Sequence, residues 1–557
     1  MIKDIYKNYC FGLKFFRGYY IAFFTYVILT ALMSLLSVLE PLIYSKLISS
    51  LIIGNKKSAI TCLGFILIIS LTKIILQVVT SKTNNYIKRE VNASVQKKIT
   101  IRMLYAPVLH TKIKYSDGKL ISLIGNDTSV LSEYIFYLTN FMLSICNIIV
   151  TGVVLMSINV YLTLIILLLF FALLTVNIIN SRKLKQINME MNDSHDVLVN
   201  GIKEMVHKLT DIKICNAVVC YRNKLFQLID NFKQQHKRRF EKQLQNSVQS
   251  GVIQYFSSFI YMALGACLVL LEQIRIEQFI AFYSYSQNFS GTLFQWAKLN
   301  TELQPQNSIM DRLKKFFEDF DDCIADEKQK NNLQNKITGV EIRNIKISFD
   351  GKEVVRNVDC ILRDNGLTGI IGNNGTGKTS ILKVMTKQLL PAEGEVFFNN
   401  NGLSNISDES LREHISYMAA EPLCFDLSIY ENIVCGKEHD MVEIIRLSKQ
   451  IGIYGDIVNL PDGFNTVLDN RIRLSSGQVR KLQLLRALLR ESDILILDEP
   501  TSNIDDLSQK TIYELIMDYA KKHIVLLVTH DADMIKHCNE IYKIENGKFV
   551  KVEIGGE

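Results

Sequence analysis

The chain is 557 residues long, 48% hydrophobic and 21% charged, with a net charge of +7 at pH 7. That length admits two large domains, and the mixture argues against one uniform globule and for a membrane half joined to a soluble half. The 11 cysteines include no C-x-x-C pair and are scattered, which supports neither a disulfide framework nor a zinc site. The excess positive charge lies mostly in connecting segments and does not read as nucleic-acid binding.

A bilayer core about 30 Å thick takes about 20 apolar residues of helix. Six segments qualify, approximately 19–43, 59–79, 137–158, 161–179, 253–271 and 276–299. The first is too long for a signal peptide, and no small-residue cleavage site follows it. Lys and Arg are dense before it and in the long connections 81–133 and 181–247, and sparse in the short connections, Lys56 and Lys57 excepted. The positive-inside rule therefore predicts both termini and both long connections in the cytosol.

The sixth span is unusually polar: Ser284, Gln287, Asn288, Gly291 and Gln295 share one helical stripe, flanked by Tyr283, Tyr285, Phe289 and Trp296. Polar residues at membrane depth face a bundle interior or a wet cavity. The stripe is therefore a candidate cavity lining and equally a candidate set of interhelical hydrogen bonds. Glu40, beside Pro41 near the outer end of the first span, is another cavity candidate. Segment 316–339, acidic and then rich in Lys, Asn and Gln, reads as a linker. The predicted organisation is a membrane domain over 1–315, a linker over 316–339 and a soluble domain over 340–557.

In the soluble domain, Gly372, Asn373, Asn374, Gly375, Thr376, Gly377, Lys378 and Thr379 match G-x-x-x-x-G-K-[ST]. The match follows a strand-like run, 367–371, and precedes a helical run that opens at Ser380. A backbone that wraps phosphates needs little side-chain bulk, hence the three glycines. Lys378 suits the β- and γ-phosphates, the Thr379 hydroxyl suits Mg2+, and the helix N-terminus favours the same anion. Further on, the apolar strand 494–497 delivers Asp498, suited to hold Mg2+ through water, and Glu499, a candidate to polarise an attacking water. His530 ends another buried-strand run, 524–529.

These motifs, with Leu474-Ser475-Ser476-Gly477-Gln478 between them, resemble the ATP-binding cassette (ABC) family, specifically half-transporter exporters that fuse a six-helix membrane domain to one nucleotide-binding domain. The resemblance implies an all-α membrane domain followed by an α/β P-loop NTPase domain with a helical subdomain, ATP and Mg2+ as cofactors, and ATPase activity coupled to transport. It makes Glu499, Lys378 and His530 catalytic, places Phe349 against adenine, and has Ser475, Gly477 and Gln478 act on nucleotide across a dimer. Segments 112–127 and 204–215 look like the elements that couple the two domains.

Two positions depart from the family pattern. Ser476 replaces the first Gly of the signature, and Ala420 stands where the family has a glutamine that helps hold Mg2+ and water; the adjacent Glu421 is a candidate substitute ligand. The implied function is ATP-driven export of a peptide, bacteriocin-like or modified, or of an amphipathic small molecule from a bacterial cell, through a multi-pass plasma-membrane protein acting as a homodimer or heterodimer. The alternatives are a slow-turnover regulatory or sensor partner and an importer of a metal chelate.

Overall fold

The computed structural model describes residues 2–115, 117–349, 352–373, 375–469, 472, 474–545 and 547–552. The chain forms two compact units, Met1–Leu104 with Tyr115–Phe320, and Tyr105–Lys114 with Asp321–Glu557.

The first unit is built from helices α1 (Ile2–Leu13), α2 (Tyr20–Ile52), α3 (Lys56–Tyr105, ending at the unit's edge), α5 (Asp117–Ser122), α6 (Thr128–Ile158), α7 (Val160–His207), α8 (Leu209–Ile214), α9 (Val218–Leu270) and α10 (Ile276–Gln329). A short helix, α4 (Val108–Lys114), belongs to the second unit. The polarity of α2 is inverted relative to a water-soluble helix: Ile21, Phe24, Ile28, Leu32 and Leu35 point outward. Only a hydrocarbon surround satisfies such a face, while the helix satisfies its own backbone. Among the described residues, four helices are long and apolar enough to cross a membrane: Tyr20–Ile52, Lys56–Tyr105, Gly118–Ile158 and Val218–Leu270.

The fourth and sixth spans expected from sequence fall on α7 and α10. On α7 the apolar helix within the described residues is Val160–Ala172, shorter than a span. On α10 the polar stripe of Ser284, Gln287 and Asn288 dilutes the apolar run. One member of that stripe, Gln287, and two of its flanking aromatics make interhelical bonds. Gln287 Nε2 donates to Ser258 Oγ at 2.9 Å, Tyr285 Oη donates to Val38 O at 2.6 Å, and Trp296 Nε1 donates to Ser144 Oγ at 2.8 Å. Tyr285 and Phe289 are buried in the unit's core. Glu40 is ion-paired with Lys73 of α3, so it does not stand free in a cavity.

The segment 316–339 departs from the linker reading, because α10 continues through Gln329. Phe316 and Phe320, one helical turn apart, are fully buried with ring centroids 4.2 Å apart. That aromatic face gives the helix a reason to continue.

The second unit holds β1 (Gly339–Phe349), β2 (Lys352–Arg363), β3 (Gly366–Ile371), α11 (Lys378–Met385), β4 (Glu393–Phe398), β5 (Asn401–Gly402), α12 (Asp408–His414) and β6 (Ile415–Met418). There follow α13 (Ile429–Val434), α14 (Met441–Ile451), α15 (Tyr454–Val458), α16 (Ser476–Leu489), β7 (Ile494–Asp498), α17 (Asp506–Ala520), β8 (Ile524–Val528), α18 (Ala532–Ile535), β9 (Glu540–Glu545) and β10 (Lys548–Val552). One sheet is antiparallel, β2-β1-β4-β5; the other, β10-β9-β3-β8-β7-β6, is parallel apart from the β10–β9 pair. Along β7, Leu495 and Leu497 enter one hydrophobic cluster while Ile494 and Ile496 enter the other. The period of two thus feeds two cores, one on each face, as a parallel sheet requires.

Gly394 marks a close approach of β4 to β1. Its φ is +84°, and a methyl group there would lie 2.2 Å from Asn344 O. Neither the dihedral nor the space admits a side chain. Gly394→Ala should therefore destabilise the second unit by about 2 kcal/mol or more, lowering its apparent unfolding temperature by about 4 °C or more in scanning fluorimetry of the intact protein. An unchanged transition would show that the β1–β4 crossing relaxes freely.

Candidate nucleotide-binding site

Three neighbouring parallel strands deliver the site. β3 runs into the loop Gly372–Gly377, β7 ends on Asp498, and β8, which lies between them, leads to Thr529 and His530. Gly372 and Gly377 of the loop are needed for space. At Gly372 (φ +155°) a methyl group would lie 3.1 Å from Thr376 Oγ1, and at Gly377 (φ +102°) it would lie 2.5 Å from Val355 Cγ2. Thr376 Oγ1 closes the turn by donating to Asn373 O at 2.8 Å. Asn374 and the side chain of Phe349 lie outside the described residues; the Phe349 backbone pairs with Lys352 at the β1–β2 turn.

Lys378 opens α11 and is buried. Its ammonium donates to Gly372 O at 2.5 Å and to Asn373 O at 3.0 Å, and its Nζ lies 3.2 Å from Nε2 of His530. Burial pulls its pKa below the ordinary lysine value, opposed by the charges of Glu499 and Asp498. Thr379 Oγ1 donates to Asp498 Oδ2 at 3.0 Å. Asp498 is 2% exposed, and burial raises its pKa, against the Thr379 hydrogen bond. A buried carboxylate destabilised in this way gains from a cation. Glu499 follows in the left-handed region (φ +51°), and His530 Nε2 stands 3.8 Å from its Oε1. The cradle and the paired hard oxygens of Thr379 and Asp498 fit a Mg-nucleotide.

The other residues singled out from sequence are placed differently. Ser380 follows within α11. Ser475 and Gln478 form a capping box at the start of α16: Ser475 N donates to Gln478 Oε1 at 2.8 Å and Gln478 N to Ser475 Oγ at 3.3 Å. Gly477 is obligatory for space, since a methyl group there would lie 2.6 Å from Asn503 O. The Glu421 side chain is exposed, and its backbone carbonyl accepts from Gln483 Nε2 at 3.1 Å.

Sequence reading missed Arg480, which is 3% exposed on α16. Its Nη1 donates to Ala419 O at 3.1 Å, and its Nη2 donates to Ser502 Oγ. One guanidinium thus ties the loop carrying Ala420 to the turn that follows Glu499. An arginine on the first turns of the helix that follows the signature was a usable signal, because its planar fork presents two donors in fixed directions.

The sequence model described as "ABC transporter" matches residues 355–502, and the one described as "ABC transporter transmembrane region" matches 23–293. The chain belongs to the ABC transporter family, as a multi-pass membrane protein with the ATP-binding domain fused behind the membrane domain. It is similar to the lactococcin transport/processing ATP-binding protein LcnC-like of Lactococcus lactis, at 25% identity over 444 residues, which is 78% of this chain and 61% of that protein. A similar match reaches an uncharacterized ABC transporter ATP-binding protein, YfiB, of Bacillus subtilis, at 25% identity over 460 residues, 79% of this chain and 76% of that one. The alpha-hemolysin translocation ATP-binding protein HlyB of Escherichia coli is 27% identical over 306 residues, 54% of this chain and 43% of that protein. The chain spans about three fifths of the length of the lactococcin transporter relatives.

Arg480→Lys keeps the charge but loses the rigid fork that now holds acceptors on two loops. Leaving a buried carbonyl unsatisfied costs about 1–3 kcal/mol, so Arg480→Lys and Arg480→Met should both lower the apparent unfolding temperature by several degrees. A lysine variant as stable as the parent would rule out the bridging role.

Proposed function

We propose that the protein is an ATP-driven exporter that moves a peptide out of a bacterial cell, working as a homodimer or heterodimer. The observation that carries this reading is the gathering of Lys378, Thr379, Asp498, Glu499 and His530 in a chain that also has membrane-length helices. Peptide cargo is supported by relatives whose names specify lactococcin transport and hemolysin translocation. The proposal includes a membrane domain over 1–315 with six spans, both termini and the long connections cytosolic, and a nucleotide-binding domain over 340–557.

In the proposed site, Gly372 to Ser380 hold the phosphates, Lys378 neutralises them, Thr379 and Asp498 hold Mg2+, the latter through water, and Phe349 stacks on adenine. Bound Mg-ATP would supply the phosphoryl group whose transfer drives transport. Glu499 orients and deprotonates the attacking water, and His530, within reach of both Lys378 and Glu499, reports on the phosphate end of the site. Ser475, Gly477 and Gln478 act on the nucleotide of the second subunit, so two nucleotide-binding domains are needed.

Removing a positioned general base typically costs about 10²–10⁴ in rate. Glu499→Gln should accordingly retain nucleotide binding while hydrolysis falls by about 100-fold or more, and Lys378→Ala should lose affinity in a fluorescent-ATP titration. Near-normal turnover of purified Glu499→Gln would remove the catalytic assignment. Export itself is tested by ATP-dependent peptide uptake into inside-out vesicles.

A slow regulatory subunit is the second reading, favoured by Ala420, whose methyl group can neither ligate Mg2+ nor position water. Glu421 is proposed to compensate in part as an oxygen ligand. On that proposal Glu421→Ala reduces the Mg2+-dependent ATPase, and an unchanged rate contradicts it. If Ala420→Gln accelerates turnover several-fold, the native site is a slowed one.

A further inference from the structure

The segment 419–432 leaves β6 at the rim of the nucleotide site, because Met418 pairs with Leu497, the residue before Asp498. It brings that site little of its own. Ala420 ends in a methyl group, and Glu421, Pro422 and Leu423 are exposed. Packing does not fix the segment either, since Ala419 and Leu423 border a cavity of about 380 Å³ that Gln483 and Arg486 also line. Its position is set by hydrogen bonds, and these come from one face of α16.

Residues three apart on a helix share a face, and Arg480, Gln483 and Arg486 stand at that spacing. Arg480 Nη1 donates to Ala419 O and Gln483 Nε2 donates to Glu421 O, each at 3.1 Å, so the carbonyls on both sides of Ala420 are held. Arg486 Nε donates to Asn432 O at 2.6 Å and its Nη2 to Asn432 Oδ1 at 3.1 Å. Asn432 Oδ1 in turn accepts from Phe425 N at 2.9 Å. The contacts advance along the helix as they advance along the segment, so the segment must follow α16.

Of the three side chains, Gln483 contributes least to the fold. It is 6% exposed, its Oε1 is buried without a hydrogen-bond partner, and its Nε2 bonds a carbonyl on an exposed residue. An unmatched buried amide oxygen is destabilising, while a carbonyl that can turn to water loses little with its donor. An apolar side chain of the same length would therefore serve the fold equally well. It could not make the Glu421 carbonyl move with the helix.

We propose that Gln483 is a positioning residue for ATP hydrolysis, which transmits displacement of the start of α16 to the loop beside Asp498 through its bond to Glu421 O. The start of α16 is the Ser475–Gln478 capping box, pressed at Gly477 against Asn503 O in the turn that follows Glu499. A rigid helix carries a shift over the about two turns from there to Gln483. Arg480 divides its guanidinium between the loop and Ser502 of that same turn, whereas Gln483 acts on the loop alone. With only a methyl group at position 420, the loop acts on the site through its main chain, which is the part that Gln483 holds. The proposal rests on the reading of Asp498 and Glu499 as the carboxylates of hydrolysis.

The test compares full-length parent, Gln483→Met, Ala420→Gln and the double variant in lipid nanodiscs. Gln483→Met should unfold within about 2 °C of the parent. It should keep KM for Mg-ATP within about 2-fold and lose about 5-fold in kcat, the pattern of a contribution made in the transition state. In the Ala420→Gln background, where a side chain reaches toward the site directly, the same substitution should lower kcat by less than about 2-fold, a non-additivity that a packing role would not give. Hydrogen exchange of amides 419–427, measured with ATP bound to Glu499→Gln, should quicken about 5-fold when Gln483→Met is added. Parent-like kcat in Gln483→Met, equal losses in the two backgrounds, unchanged exchange, or an unfolding temperature lowered by many degrees would each overturn the proposal. If Glu499→Gln itself turns over normally, the carboxylate reading fails, and the exchange measurement, which needs only bound nucleotide, decides the role of Gln483.

Discussion

The structure of the second unit depends on one requirement, that its parallel sheet be covered on both faces. Strands such as β7 and β8 send alternate side chains into two separate cores, so neither face is left for chemistry. Polar function is confined to the strand ends, and in an open parallel sheet the ligand lies beyond the carboxyl ends. The order β3-β8-β7 then sets the site's layout. The phosphate loop leaves β3, the carboxylates leave β7, and the segment leaving β8 must emerge between them. His530 occupies that middle position, which is why it meets Lys378 at 3.2 Å on one side and Glu499 at 3.8 Å on the other.

A second consequence follows from the turn after β7. Glu499 and Asn503 both adopt positive φ, at +51° and +62°, folding the chain back sharply. The returning backbone presses Asn503 O against Gly477, where even a methyl group does not fit. Arg480 joins the same turn to the Ala419 carbonyl, and Lys481 bonds Asp505 at 3.0 Å and Ser508 at 2.8 Å. The first turns of α16 are therefore clamped to the segment that carries Glu499. A rearrangement of one cannot leave the other in place, because the contacts are steric and charged rather than loosely apolar.

The legible parts of this molecule were those in which one local rule decides the outcome. The phosphate loop was readable because space at Gly372 and Gly377 and chemistry at Lys378 and Thr379 leave few alternatives. The strand before Asp498 was readable from an unbroken apolar run. The box by which Ser475 and Gln478 cap α16 is a local S-x-x-Q pattern contained in the motif, whereas the bridging of two loops by Arg480 depends on partners distant in sequence, so no pattern within the motif revealed it. The helix through 316–329 was missed because its charges outnumber its aromatic residues, yet Phe316 and Phe320 suffice to pack it. The polar stripe of α10 was seen as a stripe, but which of its members bond a neighbour and which face a cavity depends on the other helices. Gln287 and Gln295 are two turns apart and have opposite fates.

The two units treat polarity in opposite ways, for one physical reason. In water, burying apolar groups stabilises a fold, so the second unit hides Ile and Leu and leaves its chemistry at the rim. In lipid there is no such drive between helices, and association leans on packing and on interhelical hydrogen bonds. The first unit accordingly exposes Ile and Phe along α2 and turns Tyr26, Asn140, Ser144 and Gln287 toward other helices. Polar groups that serve only as glue should all find partners inside the protein, since an unmatched one brings cost without cohesion. The Tyr26–Asn140 and Gln287–Ser258 pairs satisfy that condition.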